Sequence, residues 1–221
     1  MKIGIITAMD VEAKVLRSKM TASQETRHAG VTFWEGEIEG KDVVLFVSGV
    51  GKINAAVYTQ ILIERFAPDA ILLSGIAGSM DPKAGHLSVV VAKEFAIHDI
   101  WEVVKGGRYY QDFYPTDSRL FEALRGVAPD PDLYGLILTG DQFIAEKAVK
   151  DQLKARFPAS LAVEMEGGAV AHVAHINGVP FGAIRCISDL ADDNADETYD
   201  NFEDKAAGIS AGIMLRALAA L

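Results

Sequence analysis

Apolar residues along this chain fall into short β-branched runs separated by stretches of helical spacing. Residues 2–7 (KIGIIT) predict a buried strand, and from Asp10 the spacing turns helical, with Val11, Val15 and Leu16 on one face. Residues 31–38 and 42–47 predict two strands joined by a turn at Glu39-Gly40-Lys41. Residues 52–66 predict a helix stopped by Pro68, and residues 70–74 another apolar strand. The second half predicts strands over 87–97, 133–139 and 181–187, and a short one closed by Ala162-Val163. It also predicts helices over 165–177, ended by Gly178, and over 202–221; an aromatic connection covers 98–115 and an acidic loop 191–200. Strands alternating with helices argue for an α/β fold in one domain over residues 1–221, a three-layer sandwich with a central mixed β-sheet flanked by helices.

Composition narrows the classes of function. Half of the 221 residues are hydrophobic, enough for one sizeable core, yet no run approaches the roughly 20 apolar residues that span a bilayer. The first residues, MKIGIITAMDVEAKVL, lack the basic start and long apolar stretch of a secretory leader. The single cysteine, Cys186, permits no internal disulfide, which fits a reducing cytoplasm. No Cys/His cluster has zinc spacing, so no metal is expected. A net charge of -10 repels a phosphate backbone and argues against nucleic-acid binding, but leaves a small neutral ligand open.

Ligands of open α/β sheets bind beyond the carboxyl ends of strands. Residues 8–12 (AMDVE), 48–52 (SGVGK), 74–78 (SGIAG), 164–167 (EMEG) and Ser188-Asp189 each follow a predicted strand and could share one rim. The glycines allow tight turns and close approach to a ligand, though ordinary strand-to-helix turns use them too, and neither the dinucleotide nor the phosphate-loop fingerprint is complete. Glu12 falls in a first helical turn, where the dipole favours an anion and a plain surface acid is equally at home. Glu164 and Glu166 flank Met165 after an apolar run, where burial demands partners; Arg185, in the midst of an apolar strand, could pair with one of them. Asp189 reads either as a site acid or as an Asx turn or cap. His172 and His175 read as helix-face or interface residues, and Cys186 as packing.

Taken in order, IGIITAMDVEAKVL, SGVGKINAA, LSGIAGS, TGDQFI, VEMEGGAVAHVA and IRCISDLAD resemble the signatures of the nucleoside phosphorylase/nucleosidase superfamily. The branch they resemble most is that of the 5'-methylthioadenosine/S-adenosylhomocysteine nucleosidases, across nearly the whole chain. The resemblance implies cleavage of the N-glycosidic bond of an adenine nucleoside by water, without cofactor or metal. It implies that Glu12 activates the water, Asp189 protonates N7 of adenine, Glu166 holds the ribose hydroxyls and Met165 packs beneath the sugar. Arg185 and Ser188 match residues that border the ribose and the water or orient the aspartate, and Phe143 matches a ring stacked on adenine. Backbone groups of Ile144 match those that bond the base edge, Glu164 belongs to the substrate-binding set beside Met165 and Glu166 in their motif, and Met9, Val50, Tyr199 and Phe202 match pocket walls. The family resemblance also implies a homodimer in which a loop of one subunit helps close the 5' pocket of the other, here the aromatic segment 109–114.

Bond cleavage develops positive charge on the sugar and negative charge on the leaving base. An acid with a raised pKa near the base and an ionised carboxylate near the water are therefore the expected pair. Two departures bear on the substrate. Ile76 replaces a hydroxyl residue of the nucleosidase loop, and residues 100–104 (IWEVV) differ from the usual segment that shapes the 5' pocket, which admits a futalosine-type substrate as an alternative. A purine nucleoside phosphorylase would place an Arg and a Ser where Leu73 and Ile76 stand, which favours water over phosphate. A catalytically silent nucleoside-binding protein is the alternative of another class, set against the three acids that binding alone would not need.

Overall fold

A computed structural model of the chain describes residues 1–100 and 110–221. Each apolar run becomes a strand. In chain order the elements are β1 (Lys2–Thr7), α1 (Asp10–Lys19), β2 (Thr21–His28), β3 (Val31–Ile38), β4 (Lys41–Val47), α2 (Lys52–Phe66), β5 (Ala70–Ser79) and β6 (Val89–Ile97). Then come β7 (Tyr114–Pro115), α3 (Ser118–Val127), β8 (Tyr134–Thr139), α4 (Lys147–Arg156), β9 (Ser160–Glu164), α5 (Gly167–Asn177), β10 (Phe181–Asp189) and α6 (Ala195–Ala220). The predicted stop at Gly178 is realised: it adopts φ 66°, and its N–H bonds back to the last carbonyls of α5.

The strands form one mixed sheet ordered β10-β6-β8-β9-β5-β1-β4-β3-β2, with β7 on β6. A further pairing of β10 with β5 closes β5, β10, β6, β8 and β9 into a ring, from which β1, β4, β3 and β2 extend as an open wing. The contacts of β5 with β1 and β10 are parallel, whereas β5 with β9 and β10 with β6 are antiparallel. Helices flank the sheet on two sides. Ala55, Leu62 and Phe66 of α2 and Val170 and Ala174 of α5 share one apolar cluster with Phe33, Phe46 and Phe95. Leu16 of α1, Leu120 and Leu124 of α3 and Met214 and Leu218 of α6 share another with Ile3, Leu45 and Ile184. Among the described residues no helix is long and apolar enough to cross a membrane.

The structure departs from the pattern-based expectations where polarity hid an element. β2 (TASQETRH) is a mostly exposed edge strand with little alternation to reveal it. α3 and α4 lie in stretches for which no helix was expected; α4 (KAVKDQLKAR) buries only Leu153. Residues 74–78 are not a loop: β5 runs through them to Ser79, wholly buried. Part of the acidic segment is helical too, because α6 begins at Ala195 behind Asn194, with Asp196 and Glu197 in its first turn. Residues 101–104 and Tyr109, to which the 5' pocket and partner loop were assigned, lie outside the described residues.

Candidate active site

The site forms where one edge of β5 changes neighbours. Ala70–Leu73 pair with β1 on that edge, and Gly78 and Ser79 pair with β9. In the interval the Ile76 N–H donates to Glu12 Oε1 at 3.0 Å. The other carboxylate oxygen of Glu12 accepts from the N–H groups of Ala8 (2.8 Å) and Met9 (3.0 Å), so the first turn of α1 locks this acid across the interruption. Glu12 is buried, and burial pushes its pKa up against the opposing pull of Arg185 and of the three N–H groups.

Behind it Arg185 of β10 is completely buried and serves three acids. Its Nη2 donates to Glu164 and, at 3.2 Å, to Glu166 Oε2, while Nη1 lies 3.9 Å from Glu12 Oε1. Gly75 makes the room: a Cβ there would stand 2.0 Å from Nη1 and 2.5 Å from Glu12 Oε1. Glu164 also accepts from the Thr139 hydroxyl and from the N–H groups of Glu166 and Gly167. It thereby satisfies the first donors of α5 and is occupied as a structural anion. Glu166 is less tied down. Oε1 accepts from the Gly51 N–H at 2.9 Å, and burial, opposed by Arg185 and reinforced by Glu164, pushes its pKa up to about 7.

Asp189, at the end of β10, is buried and held by Ser188 Oγ (2.8 Å, to Oδ2) and by the Ala191 N–H (2.9 Å, to Oδ1). Its pKa is raised mainly by burial, against those two hydrogen bonds and the charge of His86. The Ser188 hydroxyl also lies 3.3 Å from the Ala77 carbonyl, so it can donate there and accept from a protonated Asp189 instead.

These groups surround one cavity of about 440 Å³. Of the residues picked out from sequence, Met9, Glu12, Val50, Ile76, Phe143, Glu164, Met165, Glu166, Ser188, Asp189 and Tyr199 line it. Three do not. Arg185 sits behind the acids, Ile144 packs in the apolar cluster with Leu153 of α4, and Phe202 stacks on His86 with ring centroids 4.7 Å apart. Phe143 meets Tyr199 edge-on at 5.5 Å, and the Tyr199 hydroxyl lies 3.4 Å from Met9 Sδ. Ala8, Ala77 and Gly78, from two of the segments expected at the rim, line it too, and sequence reading missed Val163, Asp196 and Asp200. For the last two, Asn194 before an acidic first turn was the available sign of an earlier helix start. Among the described residues no group of three or more His, Cys, Asp or Glu is arranged to hold a metal ion.

Comparison with known proteins gives a consistent pattern. Residues 2–219 match the phosphorylase superfamily. A 5'-methylthioadenosine/S-adenosylhomocysteine nucleosidase of Halalkalibacterium halodurans is 40% identical, covering 97% of this chain and 96% of its own. The crystal structure of such a nucleosidase from Neisseria meningitidis, in complex with methylthio-immucillin-A, superposes with a TM-score of 0.94 at 33% identity, over 100% of this chain and 99% of the other. A futalosine hydrolase of Helicobacter pylori superposes at 0.90 with 31% identity, over 100% of this chain and 98% of that one.

Proposed function

Because the chain belongs to the phosphorylase superfamily, and within it to the 5'-methylthioadenosine/S-adenosylhomocysteine nucleosidases, we propose that it hydrolyses the N-glycosidic bond of these adenine nucleosides, releasing adenine and a 5-substituted ribose. The observation that carries the reading is the meeting of Glu12, Glu166 and Asp189, remote in sequence, around one cavity, each with a pKa raised by burial.

Asp189 is the general acid. As the electron pair of the glycosidic bond moves onto N9, the purine gains basicity at N7 and takes the carboxyl proton; burial keeps that proton available at higher pH than an ordinary aspartate would. Glu12 is the general base, accepting a proton from the water that adds to the anomeric carbon. Its anion is supported by three N–H groups and Arg185, while its raised pKa makes it a stronger base than a solvated glutamate. Glu166 takes the ribose hydroxyls and, ionised, faces the cationic sugar of the transition state. Met165, Met9, Val50 and Tyr199 supply apolar walls, and Phe143 a face for the base.

Water is the nucleophile because the position is hostile to an anion. A phosphate would meet three carboxylates around a guanidinium already shared among them, beside the apolar Ile76. The working unit is a homodimer in the cytoplasm. Ile53 and Val57 of α2 and Ile176 of α5 leave apolar side chains exposed on neighbouring helices, and a second copy would cover them.

The test is release of base, followed by chromatography, from 5'-methylthioadenosine, S-adenosylhomocysteine, adenosine and futalosine, with and without phosphate. Free adenine and free sugar at a phosphate-independent rate are expected. Formation of a sugar 1-phosphate, or binding without release, would refute the assignment.

A further inference from the structure

The peptide group that joins Leu190 to Ala191, directly after Asp189, has both polar atoms engaged by side chains. Its carbonyl oxygen accepts from Lys150 Nζ at 2.6 Å, and its N–H donates to Asp189 Oδ1 at 2.9 Å. Lys150 is on α4, an element the sequence pattern did not reveal, and lies outside the cavity lining. A carbonyl that accepts from an ammonium is polarised, and the N–H of the same amide becomes a stronger donor. A cation outside the cavity lining is thus joined to the acid by two hydrogen bonds and one peptide unit.

The turn is built to hold this arrangement. Ala191 is completely buried at φ 50°, a left-handed conformation that alanine disfavours. β5 presses on it closely enough that a Cβ at Gly78 would stand 2.8 Å from Asp189 Oδ1 and 3.1 Å from the Ala191 Cβ. On the far side of the loop the Lys147 N–H, in the first turn of α4, donates to Asp193 Oδ1 at 3.0 Å. Burial lowers the Lys150 pKa, but Asp192 from the loop, Asp151 from α4 and Asp189 from the end of β10 favour its cation, against Lys154. The groups acting on Asp189 are Ser188 and the Ala191 N–H on its own segment, Asp192 beyond, and His86 from the loop before β6.

We propose that Lys150 is a positioning residue for Asp189, acting through the Leu190–Ala191 peptide group to fix Oδ1 as an acceptor and leave Oδ2, paired with Ser188, to carry the transferable proton. The inference rests on Asp189 being the general acid, as set out under Proposed function. Lys150→Met keeps the aliphatic stem and removes the ammonium; Lys150→Arg restores a cation.

With 5'-methylthioadenosine as substrate, Lys150→Met lowers kcat about tenfold while KM stays within about twofold, because orientation and not substrate binding is lost. The alkaline limb of its pH–rate profile moves up, since a carboxylate with a weaker donor holds its proton to higher pH. Hydrogen exchange at the Ala191 amide becomes faster in the same variant, a readout independent of turnover. Lys150→Arg restores all three. Wild-type turnover with Lys150→Met unchanged in kcat, limb and exchange would overturn the relay and leave the hydrolase reading standing. A loss in Lys150→Met that Lys150→Arg does not repair would also overturn it. No base release by the wild type would remove both.

Discussion

Gly75→Ala tests the idea that one missing side chain makes room for the buried charges. The added Cβ would stand 2.0 Å from Arg185 Nη1 and 2.5 Å from Glu12 Oε1. The guanidinium must therefore retreat by more than about 1 Å before ordinary contact near 3.5 Å is restored. Gly75 does not have a positive φ, so alanine adds no backbone strain and the whole effect comes from crowding. Overpacking alone costs about 1–3 kcal/mol. If the retreat breaks the contacts of Nη2 with Glu164 and Glu166, a buried charge loses its partners and the cost becomes about 3–5 kcal/mol. We expect a loss of about 3 kcal/mol in urea unfolding, read as a lower midpoint at an unchanged slope, and a fall in kcat/KM of about 100-fold from displaced Glu12 and Glu166. Gly208→Ala on α6, where a Cβ meets nothing within 4 Å, is the matched control and should stabilise by about 0.5–1 kcal/mol. A Gly75→Ala protein as stable and as active as the wild type would show that the guanidinium is not confined by β5 at all.

Other outcomes follow from the same geometry. Asp189→Asn should cut kcat by about 100-fold or more while substrate analogues still bind, and a variant keeping a tenth of the wild-type rate would remove the general acid from the mechanism. Glu12→Gln should lose a similar factor, measured by base release, because an amide cannot take the proton of the water. The pH–rate profile should be bell-shaped: protonation of Glu12 closes the acid side above the ordinary glutamate range, and ionisation of Asp189 closes the alkaline side above the ordinary aspartate range. Glu166 has its folded pKa raised to about 7 from 4.5, so its contribution to stability is complete below pH 4.5 and is lost as pH rises through 7. Glu166→Gln should accordingly flatten the decline in unfolding free energy between pH 5 and pH 8.

How much of this was legible depended on what each residue has to do. β1 and β4 announce themselves as unbroken apolar runs buried on both faces, β3 as a run bounded by turn residues, and α2 by the helical spacing of its buried Ala55, Thr59, Leu62 and Phe66. β2 and α4 bury little and carry little period, and with α4 went any sign of Lys150. Residues 74–78 looked like a turn because of their glycines, yet those glycines serve close approach within a strand, to Arg185 at Gly75 and to Asp189 at Gly78. The acids Glu12, Glu164, Glu166 and Asp189 were found through their motifs, whereas the apportioning of Arg185 among three of them needed coordinates, since no spacing encodes which carboxylate a guanidinium meets. Val163 was missed because an apolar residue in a strand is indistinguishable in sequence from any other core position.

The closed ring also dictates when the site can come into being. β10 inserts between β5 and β6, and it brings both Arg185 and Asp189 with it. During synthesis residues 181–189 follow Glu12, Glu164 and Glu166, so the counterion that the acids share is made after all three of them. A chain cut before residue 181 therefore lacks both the strand that closes the ring and the guanidinium that the three acids share.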